Sequence, residues 1–420
     1  MKITHVRITP IAFKDPPLLN ATGVHLRYAL RSIIEVEADN GLVGLGETYG
    51  DLPVLQNLRK VGPRLGGLSP FDLNGLRRIV DEEIRTDLKP GFENLNPGTH
   101  AAKAGVNAFG AFEVALLDLQ ARAIGIPLAE LLGGAVRRRV PYSAYLFYKF
   151  GQHQGRPYEP DGWGEILTAD ALVASARRMV DRYGFKSIKL KAGVLDPMAE
   201  ADGILALAQA FPGAPLRIDP NANWSMPTAL KVAAALNGVL EYYEDPVPGL
   251  PAMAELHRAT GLPMATNMVV TSMAEFRDNV AIGGAQVVLS DHHFWGGLLA
   301  TRQLAAMCET FGLGISMHSN SHLGISLMAM THVAASIRNL SHACDTHYPW
   351  NDEEVLASRI PIEDGCVAIS DAPGLGIEID QAALARLHRQ YLDGGLTSTS
   401  AQGDYMRRWQ PDFPSRQPRY

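Results

Sequence analysis

Lys191, Asp219, Glu244, Asn267, Asp291, His318 and His347 recur at a steady interval through the second half of the chain. Each closes a short apolar run of strand character: FKSIKLK, APLRID, GVLEYYE, PMATN, AQVVLSD, GLGISMH and ACDTH. The gaps range from 23 residues (Glu244 to Asn267) to 29 (His318 to His347). A strand, a loop, a helix and a second loop use up about that much chain, since a βαβ unit needs roughly 30 residues. Strands alternating with helical patterns imply a parallel sheet. A polar residue at the C-terminal end of each strand is where a (β/α) barrel keeps its active site.

Asp219, Glu244 and Asn267 end consecutive strands and would converge from adjacent staves. Three oxygen donors of this kind suit a hard cation such as Mg²⁺; singly, each could instead be a cap or a turn residue. Lys189 and Lys191 share a strand face. Neighbouring ammonium groups lower each other's pKa, which makes one of them a general base near neutral pH, the alternative being two solvated lysines. Asp291 and His318 end the next two strands and read as a dyad in which the carboxylate orients the imidazole. His292, His293, His322, His332 and His342 are assigned structural roles. His347 either donates to a substrate oxygen or packs against Trp350. Tyr145, His25 and Asn221 are substrate contacts by position alone.

The elements that must hold these residues are legible around them. Residues 3–13, 31–38 and 42–49 read as strands, the last two joined by Asp39-Asn40-Gly41, a hairpin-turn signal. Helical patterns lie near 52–65, 70–86 and 108–124. Three strands followed by helices indicate an α+β unit over 1–135. The barrel is expected over 136–354, opening with VPYSAYLF and the helix LTADALVASARRMVDRYG. Further helices are expected at 198–211, 228–237, 252–260, 273–282, 297–311 and 324–337, and a last one at 381–391. The segment 355–420 would return to the first unit, ending in a polar, irregular tail. The expected fold is thus α/β, a (β/α)8-type (modified TIM) barrel with an α+β capping domain.

Hydrophobic residues make up 46% of the 420 positions and charged residues 20%, enough for a large core. A net charge of −6 argues against a nucleic-acid surface. Cys308, Cys344 and Cys366 form no pairing pattern and read as reduced thiols of a cytoplasmic protein. No run reaches 18 apolar residues and MKITHVRITP has no signal-like core, so no membrane span or secretion is expected.

The motifs GVHLRYALRSIIEVE, GETYGD, KLKAGVLD, DPNANW, YYEDP, ATNMVVT, DHHFW, HSNSH, THVAAS and DTHYPW together resemble the enolase superfamily in its mandelate-racemase-like division, most closely the glucarate dehydratases. ATNM and HSNSH are the most specific, because asparagine at the third metal position separates glucarate dehydratases from relatives with an acid there. The resemblance implies Asp219, Glu244 and Asn267 as Mg²⁺ ligands. It implies Lys191 as one acid/base and His318, supported by Asp291, as the other. His25, Tyr145, Lys189, Asn221, Ser319, Asn320 and His347 fall where such enzymes touch the sugar acid. The implied reaction removes the proton α to a carboxylate and eliminates the β-hydroxyl, giving a 2-keto-3-deoxy acid. The substrate is a small acid sugar, an aldarate or aldonate, and a homo-oligomer is expected. A racemase or epimerase with the same bases, or a non-catalytic paralogue, are the alternative readings. One departure concerns the far end of the substrate. The family places an arginine in the C-terminal tail, whereas TSTSAQGD (397–404) has none and Arg407 and Arg408 are the nearest. His25 and Arg27 are expected to compensate.

Overall fold

The computed structural model describes residues 1–85, 99–155, 161–414 and 416–420. Strands β1 (Ile3–Lys14), β2 (Tyr28–Ala38) and β3 (Val43–Tyr49) form an antiparallel sheet in that order. The β2–β3 turn is the expected one, with Gly41 at φ +79° and Asn40 accepting from Leu42 N. Helix α1 (Ala104–Ile124) lies close against β3. A Cβ on Gly44 would meet Ala115 O at 2.1 Å, and one on Gly46 would meet Ala111 O at 2.6 Å, so both glycines are needed for this approach. The helix begins four residues earlier than its apolar pattern indicated. The long loop after β1 carries a small hairpin, Leu19–Asn20 against Gly23–Val24, that the sequence did not reveal.

The second half builds a parallel sheet of seven strands in chain order: β4 (Ala144–Phe147), β5 (Ile188–Lys191), β6 (Leu216–Asp219), β7 (Leu240–Glu244), β8 (Met264–Thr266), β9 (Val287–Ser290) and β10 (Gly314–Met317). The eighth stave is an irregular segment. Asp345 N bonds Met317 O at 2.9 Å on one side, while Ser143 N bonds Cys344 O at 2.8 Å on the other, and the sheet closes on itself. The curled parallel sheet, capped by the N-terminal strands, is the modified barrel the spacing implied. Strand parity then explains the site. Tyr242, Ala265 and Leu289 pack as a small apolar cluster, and Glu244, Asn267 and Asp291 stand two residues beyond them on the same face.

The tail is more ordered in its bonding than its composition indicated. A helix at Gln381–Gly394 lies along β1, with His388 Nδ1 2.6 Å from Pro10 O. Beyond it, Thr399 donates to Asp51 Oδ1 from its N–H (2.7 Å), and Gln402 Oε1 accepts from Asn20 and Thr22. The hydroxyl and amide side chains of the tail thus latch it onto the capping sheet, and a short helix, Gln402–Met406, follows. Among the described residues, no helix is long and apolar enough to cross a membrane.

Candidate active site

Where the barrel mouth meets the capping sheet and the tail there is a cavity of about 880 Å³. Lys191, Asn221, Asn267, His318, Ser319 and His347 line it from the barrel, and His25 from the capping side. Lys191 Nζ sits 2.6 Å from Asp219 Oδ2. Glu200 fixes the loop after Lys191, its carboxylate accepting from the N–H groups of Gly193, Val194 and Leu195 at 2.8–2.9 Å. Asn221 and Ala222, just past Asp219, hold φ of +49° and +57°, and Asp245, just past Glu244, holds +36°. Side chains rarely occupy this left-handed region, and such strain gathers at functional sites.

Lys189 is fully enclosed rather than facing the cavity. Its ammonium lies 2.7 Å from Glu244 Oε1, 2.6 Å from Asp345 Oδ2 and 3.6 Å from Asp219 Oδ2. The expectation that the two lysines lower each other's pKa is overturned for Lys189. Burial works against its charge, yet Asp345 and Glu244 outweigh burial and hold the pKa well above the usual range. Sequence reasoning missed Asp345, although it stands two residues before His347 on the same strand face. It missed Asp245 too, which accepts from Thr266 Oγ1 (2.6 Å) and from Asn267 N (3.1 Å).

This polar cluster carries excess negative charge. Lys189, Lys191 and Arg217 face Asp219, Glu241, Glu244, Asp245 and Asp345, three cations against five carboxylates. Burial, then the charge of Asp219, pushes Glu244 well above the usual carboxylate range and Asp245 up to about 7. Glu244 Oε2 lies 2.6 Å from Lys189 Nζ but off the hydrogen-bonding direction, and so has no hydrogen-bond partner. The side-chain amide of Asn267 lies within 3.2–3.3 Å of Glu244 Oε1, Asp245 Oδ2 and His318 Nε2. Two more carboxylates than cations and an orphaned buried oxygen together fit a divalent cation held by oxygen.

Asp291 Oδ2 accepts from His318 Nδ1 at 3.0 Å, which makes the expected dyad. Burial opposes its ionisation, but His293 and His318 overcome this and hold Asp291 well below the ordinary range. Among the described residues, Asp291, His292 and His293 are also a candidate metal-binding group, with donor atoms within 4.8 Å of one another. His293, assigned a structural role from sequence, instead bonds Asp291 Oδ1 through Nδ1 at 2.6 Å.

The remaining expected contacts divide. Tyr145 places a buried hydroxyl without a partner at the cavity wall. His25 bonds Asp15 Oδ2 through Nδ1 at 3.0 Å. His347 packs edge-on to Tyr145 (4.8 Å) and against Phe147 (5.0 Å), with Nδ1 3.2 Å from Ser319 Oγ. Asn221 N donates to Asp219 Oδ1 at 3.0 Å. Asn320 spends its amide on Arg31, Tyr49 and Asp291.

The N-terminal part matches the mandelate racemase / muconate lactonizing enzyme N-terminal domain over residues 3–133, and the barrel matches the enolase C-terminal domain-like family over 171–383. The chain belongs to the enolase superfamily. Within the mandelate racemase and muconate lactonizing division it is similar to a probable glucarate dehydratase of Streptomyces coelicolor, 52% identical over 94% of this chain and 92% of the relative. A muconate cycloisomerase of Rhodococcus opacus is 29% identical over 84% of this chain and 89% of that one. Among solved structures, an enolase of Pseudomonas fluorescens with bound magnesium, potassium and tartrate superposes with a TM-score of 0.97 at 58% identity, over 100% of this chain and 99% of that one. One from Thermobispora bispora with magnesium and formate gives 0.95 at 48% identity, covering 100% of both chains.

Arg27, expected at the far end of the substrate, lies instead in a neighbouring cleft with Arg386, Arg389 and Arg408. Arg407 lines the cavity, its guanidinium on Asp404 Oδ1 and on Phe413 O (3.2 Å). Asp15 and Asp51 line it as well. The free hydroxyl of Tyr145 yields a prediction. Tyr145→Phe should raise KM roughly fivefold, the worth of one neutral hydrogen bond of about 1 kcal/mol, with kcat little changed. Steady-state kinetics on an acid-sugar substrate checks this; an unchanged KM removes Tyr145 from the binding set.

Proposed function

We propose that the chain is a Mg²⁺-dependent acid-sugar dehydratase akin to glucarate dehydratase, a hydro-lyase of the enolase superfamily. The observation that carries this reading is the placement of two acid/base groups, Lys191 on Asp219 and His318 on Asp291, around one oxygen-lined pocket with two surplus negative charges. Magnesium in the related Pseudomonas and Thermobispora structures supports the identity of the cation.

Asp219, Glu244 and Asn267 would hold the ion. The group at Asp291, His292 and His293 is less suited, because it offers two nitrogens to one carboxylate and the Arg31 guanidinium stands 2.9 Å from His293 Nε2. When bound, Mg²⁺ would stabilise an enediolate, the chemistry it supplies beside a Lys or His base in this superfamily. The chain's own groups do the rest. His318, its Nδ1 on Asp291, takes the α-proton at Nε2, and the electron pair of that C–H bond becomes the new C=C bond. The β-C–O bond breaks, and its oxygen leaves as water with the proton His318 returns. The enol left behind tautomerises to a 2-keto-3-deoxy acid. Lys191 acts on the α-proton of the other configuration. Enclosed Lys189 holds Glu244 and Asp345 in place by donating to both carboxylates.

Incubation with a panel of aldarates and aldonates and Mg²⁺ should release a 2-keto acid. Inversion of a stereocentre without loss of water would instead establish an epimerase. Arg407 is the residue for a distal carboxylate, in competition with Asp404. Arg407→Ala should therefore lower kcat/KM for glucarate about ten- to a hundredfold, the value of a charge-assisted bond, and leave aldonates nearly unaffected. Equal effects on both substrate classes would move the distal pocket elsewhere.

A further inference from the structure

Arg31 on β2 reaches from the capping sheet into the wall behind His318. Its buried guanidinium donates to Glu47 Oε1 (2.8 Å), Asn320 Oδ1 (3.0 Å), His293 Nε2 (2.9 Å) and Ser326 Oγ (3.2 Å). A guanidinium offers N–H donors and no acceptor. Each partner must therefore present a lone pair, and that requirement propagates inward along two routes.

On the first route His293 Nε2 is bare, so the ring proton of His293 resides on Nδ1 and is donated to Asp291 Oδ1 at 2.6 Å. Ser326 agrees with this, its Oγ accepting from the same guanidinium nitrogen at 3.2 Å. On the second route the oxygen of Asn320 faces Arg31, so its nitrogen donates to Asp291 Oδ2 (3.2 Å) and to Tyr49 (2.7 Å). With the backbone N–H of His293 at 2.9 Å, both oxygens of Asp291 receive donors before His318 is counted. The Asp291 carboxylate can then only accept from His318 Nδ1, and the lone pair of His318 is left on Nε2.

We infer that Arg31 is a positioning residue for the acid/base: through His293 and Asn320 it sets the hydrogen-bond polarity that holds His318 in its Nδ1–H tautomer, so that the barrel's base is competent only with the capping sheet docked. The inference rests on the reading of His318 as an acid/base, yet the tautomers can be measured without turnover. In protein labelled with ¹⁵N-histidine, two-bond ¹H–¹⁵N correlations distinguish Nδ1–H from Nε2–H rings, and the signals lost in His293→Asn and His318→Asn assign the two residues. Both should be neutral Nδ1–H imidazoles. An Nε2–H or doubly protonated His293 overturns the inference, whatever the activity.

Kinetics supplies the second arm. His293→Phe removes the N–H to Asp291 and should lower kcat roughly ten- to a hundredfold at nearly constant KM, as lost outer partners of a site residue do. His293→Asn, whose amide N–H falls near the former Nδ1–H, should recover most of that loss; equal losses in the two variants overturn the inference. Arg31→Met alone would strand Glu47 as a lone buried charge and risk unfolding. Arg31→Met combined with Glu47→Gln avoids this, and should show a mixed His318 tautomer together with the loss in kcat. A pure Nδ1–H His318 in that double variant also overturns it. Should both rings be Nδ1–H while His318→Asn turns over normally, the acid/base reading has failed instead.

Discussion

Glu244→Gln and Asn267→Ala should each lower kcat/KM by about a thousandfold or more, since loss of a direct metal ligand exceeds the ten- to hundredfold cost of an outer partner. Glu244 is buried, carries an oxygen with no hydrogen-bond partner, and shares Lys189 with Asp345. Making it neutral removes one of the two surplus charges that favour a divalent cation. Asn267→Ala removes the amide that lies against Glu244 and Asp245 but leaves the charge count unchanged. The two variants should therefore differ in Mg²⁺ affinity, with the glutamine variant the weaker binder by calorimetry. Neither residue belongs to an apolar core cluster, so thermal unfolding without Mg²⁺ should move little. EDTA-treated wild-type protein should be inactive and recover on addition of Mg²⁺. Full turnover in EDTA would end the metal reading. Loss of Mg²⁺ binding in Asp291→Asn, with binding intact in Glu244→Gln, would transfer the site to Asp291, His292 and His293.

What was legible in the sequence was whatever strand geometry imposes locally. The βα interval located six strand ends to within a residue, its seventh position, His347, falling on the irregular stave, and period-two alternation put Glu244, Asn267 and Asp291 on the face already occupied by Tyr242, Ala265 and Leu289. Asp345 was within reach of the same rule. What escaped depends on partners distant in the chain. Lys189 looked like half of a mutually repelling pair because its neighbours in sequence are visible and Glu244 and Asp345 are not. His293 looked structural because nothing near it in sequence marks Arg31 as its partner, 262 residues away. Thr399 read as part of an irregular chain because the carboxylate it binds, Asp51, lies just past the last strand of the capping sheet. Chemistry assembled across the domain boundary has no signature in spacing, since the two partners obey different periods.

His318→Asn should abolish dehydration, by about 10⁴-fold in kcat, a loss typical of a site deprived of its correctly held imidazole, while proton exchange at the α-carbon survives for one substrate configuration. The argument follows from the separate anchoring of the two bases. Lys191 is held by Asp219 on β6, His318 by Asp291 after β9, and among the described residues no hydrogen bond joins the pairs directly. Asparagine at position 318 keeps a side-chain N–H for Asp291 but offers no lone pair in place of Nε2. In D₂O the variant should still incorporate deuterium into the epimer whose α-proton faces Lys191, without releasing keto acid, because the proton required by the leaving hydroxyl is gone. Lys191→Ala should do the converse: it should lose exchange with that epimer and retain turnover of the substrate whose α-proton faces His318. Asp291→Asn should lower the rate through His318 and leave the Lys191-dependent exchange intact. Mass spectrometry of recovered substrate, beside a 2-keto acid assay, reads both reactions in one incubation. Normal dehydration by either the Lys191 or the His318 variant, on both epimers, would show that the proton is taken by a different group.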